Sequence, residues 1–169
     1  MKIIVDAMGG DHAREVVVEG AISAVAEYEV DVVLVGQEEK IKSMLKSHHY
    51  SGSRVSVYPA QETIGMSESA ATSVRRKRNS SIVVGVNLVK EGYGSAFFSA
   101  GNTGAVVCAA TLGLGMLPGI ERPGIAILFP AFPTSSGRER RSPSPVRFAL
   151  RSSRRRIRCP QLRSASPAT

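Results

Sequence analysis

Residues 1–13 read Met-Lys-Ile-Ile-Val-Asp-Ala-Met-Gly-Gly-Asp-His-Ala, and they carry one structural instruction after another. Ile3, Ile4 and Val5 are consecutive branched apolar side chains, the pattern of a strand covered on both faces. Gly9 and Gly10 then let the chain turn sharply in front of Asp11 and His12, and a helical period starts at Ala13. Strand, glycine turn and helix in immediate succession open an α/β fold, where ligands bind beyond the C-terminal ends of the strands. A second link of the same character, Ser99-Ala-Gly-Asn-Thr-Gly104, is paired with the first as the candidate site.

The rest of the chain continues the alternation. Residues 13–28 repeat apolar positions at the helical period through Ala13, Val16, Val17, Ala21, Ala24, Val25 and Tyr28, with Asp11 or His12 at the N-terminus as a cap. A strand is predicted over 31–35, closed by Gly36, and a helix over 37–48 with Ile41, Met44, Leu45 and His48 inward. Glu38 and Lys42 are four apart on its wet face. A short strand over 54–58 ends at Pro59. A polar helix over 67–77 takes Ser67 as its cap and turns Ala70, Ala71 and Val74 inward, and a further helix over 81–90 stops at Gly92. A strand over 95–99, a helix over 105–116 and a strand over 125–129 complete the pattern. The order β-α-β-α-β-α-α-β-α-β calls for an α/β fold with a mostly parallel sheet and helices on both faces, incomplete where the pattern stops.

Composition divides the chain at about residue 133. Up to Pro133 there are 12 Lys and Arg against 13 Asp and Glu, a charge of −1, whereas residues 134–169 hold 10 Arg and one acid, Glu139, a charge of +9. The formal net charge of +8 therefore describes the final segment, and it is no argument that residues 1–133 bind nucleic acid. In that segment the apolar period is lost and Ser-Pro pairs and arginine runs predominate, so a disordered basic tail is expected. Its arginines could hold nucleic acid non-specifically through phosphate contacts, but no recognition-module signature accompanies them. Two cysteines, Cys108 and Cys159, give neither a disulfide framework nor a metal-ligand spacing, and Cys108 is expected to be a buried free thiol in a reducing compartment. Asp6 and the polar turn interrupt the first apolar stretch too early for a secretory signal. The 29 uncharged residues between Glu91 and Glu121 are broken by Asn102, Thr103, Pro118 and seven glycines, which fits a strand and a buried helix better than a membrane span.

Each candidate constellation admits a plain structural reading beside the chemical one. Asp6, Asp11 and His12 gather ionisable groups at a strand end: His12 can serve as a general acid or base or bond a phosphoryl or carbonyl oxygen, or Asp11 caps the helix and His12 packs beside it. Asp6 is placed to orient His12 or a backbone N–H. Gly9-Gly10 before a helix suits a single phosphate or oxyanion, but it is neither of the nucleotide-binding glycine motifs. In Gly101-Asn102-Thr103-Gly104, the polar pair can donate hydrogen bonds and the glycines permit close backbone approach, or the segment is a helix cap at a tight crossing. Two helix starts aimed at one small volume would suit phosphate as nucleophile and a carbonyl oxygen that becomes negative. Arg75-Arg76-Lys77-Arg78 reads either as an attractor for phosphate or an acidic partner or as a solvated helix end favoured by the helix dipole. No Ser-His-Asp spacing or reactive cysteine points to a covalent acyl-enzyme.

Taken together, Asp6-Ala-Met-Gly-Gly-Asp-His-Ala13, Val74-Arg-Arg-Lys-Arg-Asn-Ser-Ser81 and Ser99-Ala-Gly-Asn-Thr-Gly-Ala105 resemble the phosphate acyltransferases of bacterial phospholipid synthesis, over about residues 1–130. The resemblance implies a Rossmann-like α/β fold and transfer of a long-chain fatty acyl group from acyl-carrier protein to inorganic phosphate, giving acyl-phosphate and free carrier. It implies a homodimer with no nucleotide, metal or other cofactor, cytoplasmic and peripherally membrane-associated, which passes its product to a membrane glycerol-3-phosphate acyltransferase. Mapped here, it makes Asp11, His12 and Asn102 the catalytic candidates, and Asp6, Gly9, Gly10, Gly101, Thr103 and Gly104 the phosphate or substrate contacts. Arg75, Arg76, Lys77 and Arg78 become contacts for the carrier or phosphate.

The sequence also departs from that family. Arg14 stands where the family has proline, a residue suited to a first helical turn. Beyond about Pro133 the family's further glycine-rich segments have no counterpart, and the Arg/Ser/Pro bias resembles translation in a shifted frame. The expectation is thus an N-terminal part of an acyltransferase domain over 1–133, an out-of-frame tail over 134–169 and an inactive chain. Two other readings stand beside it: a short-chain phosphate acyltransferase using acyl-CoA, and a non-enzymatic α/β domain with a basic tail for nucleic acid or anionic membrane.

Overall fold

The computed structural model of the chain describes residues 1–10 and 13–125; Asp11, His12 and residues 126–169 lie outside the described residues. Met1–Glu121 form one compact unit. Its elements are β1 (Lys2–Asp6), α1 (Glu15–Glu27), β2 (Asp31–Gly36), α2 (Glu38–Ser47), β3 (Val55–Pro59), α3 (Ala70–Arg76), α4 (Ser81–Lys90), β4 (Ala96–Phe98) and α5 (Thr103–Gly113). The four strands make one sheet in the order β3-β2-β1-β4, and every pairing is parallel. The fold is α/β, as the alternation predicts.

The apolar run of β2 explains why the sheet is covered on both sides. Val32 and Leu34 join Val18, Ala21, Val25, Ile41 and Val55 in a core formed with α1 and α2. Their neighbours Val33 and Val35 join Ile4, Ala60 and Leu88 in a second core under α4. Successive strand residues point to opposite faces, so a strand apolar at every position needs a helix on each side. A third cluster, Ile64, Val74, Ile82, Val86, Ala105 and Ala109, packs α3, α4 and α5 together.

Several elements differ from the sequence reading. α1 starts at Glu15, and Arg14 occupies its N-cap at φ 80° with no side-chain cap bond, a conformation rare for a side-chain-bearing residue and closed to proline. Arg14 thus precedes the first helical turn. The buried stripe of α1 is Val18, Ala21 and Val25, while Val16 and Tyr28 are exposed. These three and Ile22 have the tighter i, i+3, i+4, i+7 spacing of a single stripe. On α2, Ile41 is buried and Met44 and Leu45 are half-buried, but His48 is exposed at the C-cap; Tyr50 packs against the core in its place. The Glu38–Lys42 pair forms on the wet face.

The largest shift concerns α3, which begins at Ala70 and takes Ser69, not Ser67, as its N-cap residue; Ser73 and Val74 are buried and Ala71 is exposed. The backbone carbonyls of Gly65, Met66 and Glu68 accept from the Asn102 side chain, so residues 65–68 are committed elsewhere before a helix can begin. α5 ends at Gly113, short of the expected 116. Cys108 on that helix is a half-buried free thiol. Beyond Ile125, the strand expected over 125–129 lies outside the described residues, as does the tail with Cys159. Among the described residues no helix is long and apolar enough to cross a membrane.

Candidate functional site

In the order β3-β2-β1-β4, the chain moves away from β1 to one side through β2 and β3 and returns to its other side with β4. The gap between the C-terminal ends of β1 and β4 is therefore the topological switch point, where open α/β sheets bind ligands. Both glycine-rich links start there. β1 ends at Asp6 and leads into Met8-Gly9-Gly10, and β4 ends at Phe98 and leads into Ser99-Ala100-Gly101-Asn102.

The two links are in direct contact. A Cβ built on Gly9 would stand 2.6 Å from Asp6 Oδ2, 2.7 Å from Gly101 N and 2.8 Å from Gly101 Cα. Gly101 reciprocates, with a built Cβ 3.2 Å from Gly9 Cα and 3.2 Å from Ser99 Oγ. Only hydrogen fits on the Gly9 α-carbon, while a methyl at Gly101 would press tightly on its neighbours. Gly10 adopts φ 104°, with Ala100 beside it, which is the left-handed backbone that glycine alone adopts freely.

Asp6 organises this junction. It is 1% exposed; Oδ1 accepts from the Met8 amide at 2.9 Å and Oδ2 accepts from Ser99 Oγ at 2.7 Å. Ser99 Oγ in turn accepts from the Gly101 amide at 3.0 Å. A chain of hydrogen bonds thus runs from the end of β1 to the loop after β4. Sequence reasoning placed Asp6 at the site but gave Ser99 no role, although serine directly after the strand is the one short hydroxyl able to span the two turns.

Asn102 caps α5: its Oδ1 accepts from the Ala105 amide at 3.0 Å. Its Nδ2 donates, shared among three acceptors, to the carbonyls of Gly65, Met66 and Glu68 at 3.1 to 3.2 Å. Both ends of the side chain are thus engaged within the protein, and Asn102 is buried. Thr103 and Gly104 are exposed, and they carry first-turn N–H groups that a helix leaves without partners of its own. Gly104 faces Ala70 across a narrow gap, where a Cβ would meet the Ala70 methyl at 3.2 Å.

The segment 61–68 forms a strap that sequence reasoning missed. Glu62 bridges to Ser80 in parallel register, and its Oε2 accepts from the Asn79 amide. Glu68 accepts from the Gly65 amide at 2.9 Å, Ser73 Oγ at 2.8 Å and Lys77 Nζ at 2.7 Å. Lys77 also donates to the Thr63 carbonyl at 2.8 Å. The Lys77 ammonium, followed by the Gly65 amide and Ser73 hydroxyl, holds the Glu68 carboxyl down at about 2 from an ordinary 4.5.

The basic run therefore divides. Arg75, Arg76 and Arg78 are exposed, whereas Lys77 is tied into the strap. Asp11 and His12 follow Gly10 in the chain and lie outside the described residues. Among the described residues no cluster of His, Cys, Asp and Glu is arranged to hold a metal ion.

Two clefts lie toward the β3 side of the sheet, and neither is lined by residues of the junction. One of about 450 Å³ lies at the ends of β2 and β3, lined by residues 36–40 and 59–61. The other, of about 340 Å³, runs between β3 and α4 and includes Tyr58, Arg78, Asn79 and Glu91.

Comparison with known proteins places the chain in a family. The family described as fatty acid synthesis protein matches residues 1–138. The chain is 46% identical over 132 residues to a phosphate acyltransferase of Halothermothrix orenii, covering 78% of this chain and 40% of the relative. It is 48% identical over 130 residues to one of Desulfitobacterium hafniense, covering 77% and 39%. With one of Alkaliphilus oremlandii it shares 44% identity over 137 residues, covering 81% and 40%. The chain spans about two fifths of the length of these relatives. With most of its length matched by the family and both glycine turns inside the match, this chain belongs to the fatty acid synthesis protein family.

Proposed function

We propose that the β1–β4 junction serves transfer of an acyl group from a thioester to inorganic phosphate, with a long-chain acyl group on acyl-carrier protein as the donor. The observation that carries this reading is the hydrogen-bonded chain Asp6–Ser99–Gly101, which holds a left-handed glycine turn against the start of a helix with exposed first-turn residues. Backbone N–H groups fixed in this way can meet a phosphate or a carbonyl oxygen that gains charge, without reorganising during the reaction.

In the proposed reaction a phosphate oxygen attacks the thioester carbon, forming a C–O bond. The tetrahedral oxyanion collapses with cleavage of the C–S bond, and the departing sulfur takes the proton that phosphate carried. Asp11 and His12, next in sequence to Gly10, supply the ionisable groups to move that proton. Thr103 and Gly104 contact phosphate or the oxyanion, while Asn102 acts by positioning α5 against the strap. Arg75, Arg76 and Arg78 offer charge to an acidic carrier, and Lys77 contributes through the strap.

Two measurements on the 169-residue chain test the reading. Inorganic phosphate titrated into the ¹⁵N-labelled protein is expected to move the amides of Gly101, Thr103 and Gly104 first. With an acyl-carrier thioester and phosphate, acyl-phosphate trapped as the hydroxamate would establish the reaction, and long acyl-carrier donors are expected to outperform short acyl-CoA. Absence of any phosphate-dependent change at these amides would sink the proposal.

A further inference from the structure

Phe97 and Phe98 are neighbours on β4 with opposite surroundings. Phe97 is half-buried against the two cores that α4 helps to form, and its ring lies so close to Gly85 of that helix that a Cβ there could not fit. Phe98 points to the other face and is 59% exposed, and Ala96, two residues back on the same face, is exposed as well. Across the pairing register these two meet Val5 and Ile3, and Val5 reaches the core under α1 and α2. The placement of the helices is the cause. α4 packs on β1, β2 and β4, whereas α1 packs on β2 and β3, so the α1 face of the sheet lies bare at β4.

A parallel sheet is ordinarily buried on both faces. The order 3-2-1-4 is also the first part of the doubly wound order 3-2-1-4-5-6, in which strand 4 is central. Among the described residues β4 pairs with β1 alone and stands at the edge of the sheet. Edge strands are commonly guarded by charge or proline, yet residues 92–104, which contain β4, hold neither. β4 thus has the composition of an inner strand in the position of an outer one. The relative from Halothermothrix orenii has more than half of its length outside the match with this chain, enough for further strands and the helices that cover them.

We infer that the outer edge of β4 and the face of Ala96 and Phe98 form a docking surface for the part of the acyltransferase relatives that this chain does not match. The docked part adds a strand beside β4 and seats a helix on Phe98. The surface sets its chemistry: the strand carries no charges, since both its faces become buried, and the helix presents an apolar stripe. Supplied as a separate polypeptide, that part docks in trans. The inference stands on the sheet alone and does not rest on the acyl-transfer reading, although Ser99, next to Phe98, puts the docked part beside the junction.

The test is co-expression of the full 169-residue chain, carrying an affinity tag, with the unmatched part of the Halothermothrix orenii relative as a second polypeptide. The two are expected to be recovered together. The Phe98 ring resonances, broadened by a soluble paramagnetic agent in the chain alone, should be shielded in the complex. Phe98→Asp puts a charge into the apolar contact and should reduce recovery about tenfold or more. Ala96→Arg, on the same face, should do the same, so the test survives a failure of either variant to fold. Tyr28→Asp alters a residue as exposed as Phe98 but at the far end of α1, and should leave recovery unchanged. A second polypeptide that stays insoluble or uncaptured beside the chain overturns the inference, as does capture that leaves Phe98 accessible or is lost equally with Tyr28→Asp. Shielding of Phe98 in the chain by itself, by its own residues or by a second copy, overturns it too. None of these measurements needs acyl-phosphate to form, so the acyl-transfer proposal is judged apart.

Discussion

At the junction of β1 and β4 Asp6 is 1% exposed and its oxygens meet one amide and one hydroxyl, whereas in the strap Glu68 is 33% exposed and meets an amide, a hydroxyl and an ammonium. Both carboxylates tie loops together, but in different media. Around Asp6 two backbones touch at buried glycines, and the carboxyl itself is closed off from solvent. Around Glu68 solvent reaches both members of an ion pair, and exposed pairs of this kind are weak and screened. The junction should thus behave as part of the core and the strap as a fastening that conditions can loosen.

The strongest way to break this contrast is at the junction. Asp6→Ala leaves the Met8 amide and Ser99 hydroxyl without their acceptor in a closed site. Hydrogen bonds to a charged group are worth about 1.5–3 kcal/mol each, so a loss of about 3 kcal/mol or more is expected. Gly9→Ala keeps every hydrogen-bonding group but drives a methyl to within 2.6 Å of Asp6 Oδ2 and 2.7 Å of Gly101 N. Overpacking against atoms that cannot yield should cost about 2–3 kcal/mol. Urea unfolding of the two variants measures both. A Gly9→Ala protein within about 0.5 kcal/mol of wild type, the ordinary range for surface changes, would mean that the turns do not meet back to back.

Asn102 links the two regions and should show an intermediate effect that sharpens the comparison. Asn102→Ala removes the cap of α5 and the donor to the strap, for about 2 kcal/mol in all. Asn102→Asp preserves an acceptor for the Ala105 amide but replaces the Nδ2 donor with an oxygen facing three carbonyls. The aspartate variant should keep amide protection in the first turn of α5 and lose it at residues 65–68. Equal loss in both places would show that cap and strap are one cooperative unit.

The difference between the regions also explains what could be read in advance. The junction is written in local patterns: an apolar run that ends in Asp6, paired glycines, and Gly-Asn-Thr-Gly between a strand and a helix. Parallel pairing of β1 with β4 then brings the two motifs together. The α/β alternation was legible for the same reason, because a strand apolar at every position, such as β2, demands helices on both faces. The strap lacks such a pattern. Glu68 reaches Lys77, nine residues on, and Asn102 reaches back 34 to 37 residues, so its anchors appear only once the helices are assembled. That is why Ser67 looked like a helix cap while Asn102 had already claimed the carbonyls around it. The stripe of α1 was misplaced more simply: its sequence offers apolar residues at 16, 17, 18, 21, 22, 24 and 25, and only packing against β2, β3 and α2 selects 18, 21 and 25.

The smallest effect concerns pH and belongs to the strap alone. Glu68 has a carboxyl lowered from 4.5 to about 2, chiefly by Lys77 and then by the Gly65 amide and Ser73 hydroxyl. A group whose folded value lies below its unfolded one stabilises the fold through its ionised form, so the contribution is fully present above about 4.5 and is lost as pH falls through about 2. Amide exchange at Gly65 should accordingly stay protected, relative to its intrinsic rate, down to pH 4.5 and lose protection progressively below it. Glu68→Gln, which cannot ionise, should show weaker protection at pH 7 and little further change across that window. The carboxyl resonance of Glu68, followed by ¹³C NMR, gives the direct reading. A midpoint near 4.5 would mean that the ammonium and amide contacts do not hold in solution, and the strap would then lack the fastening that distinguishes it from an ordinary loop.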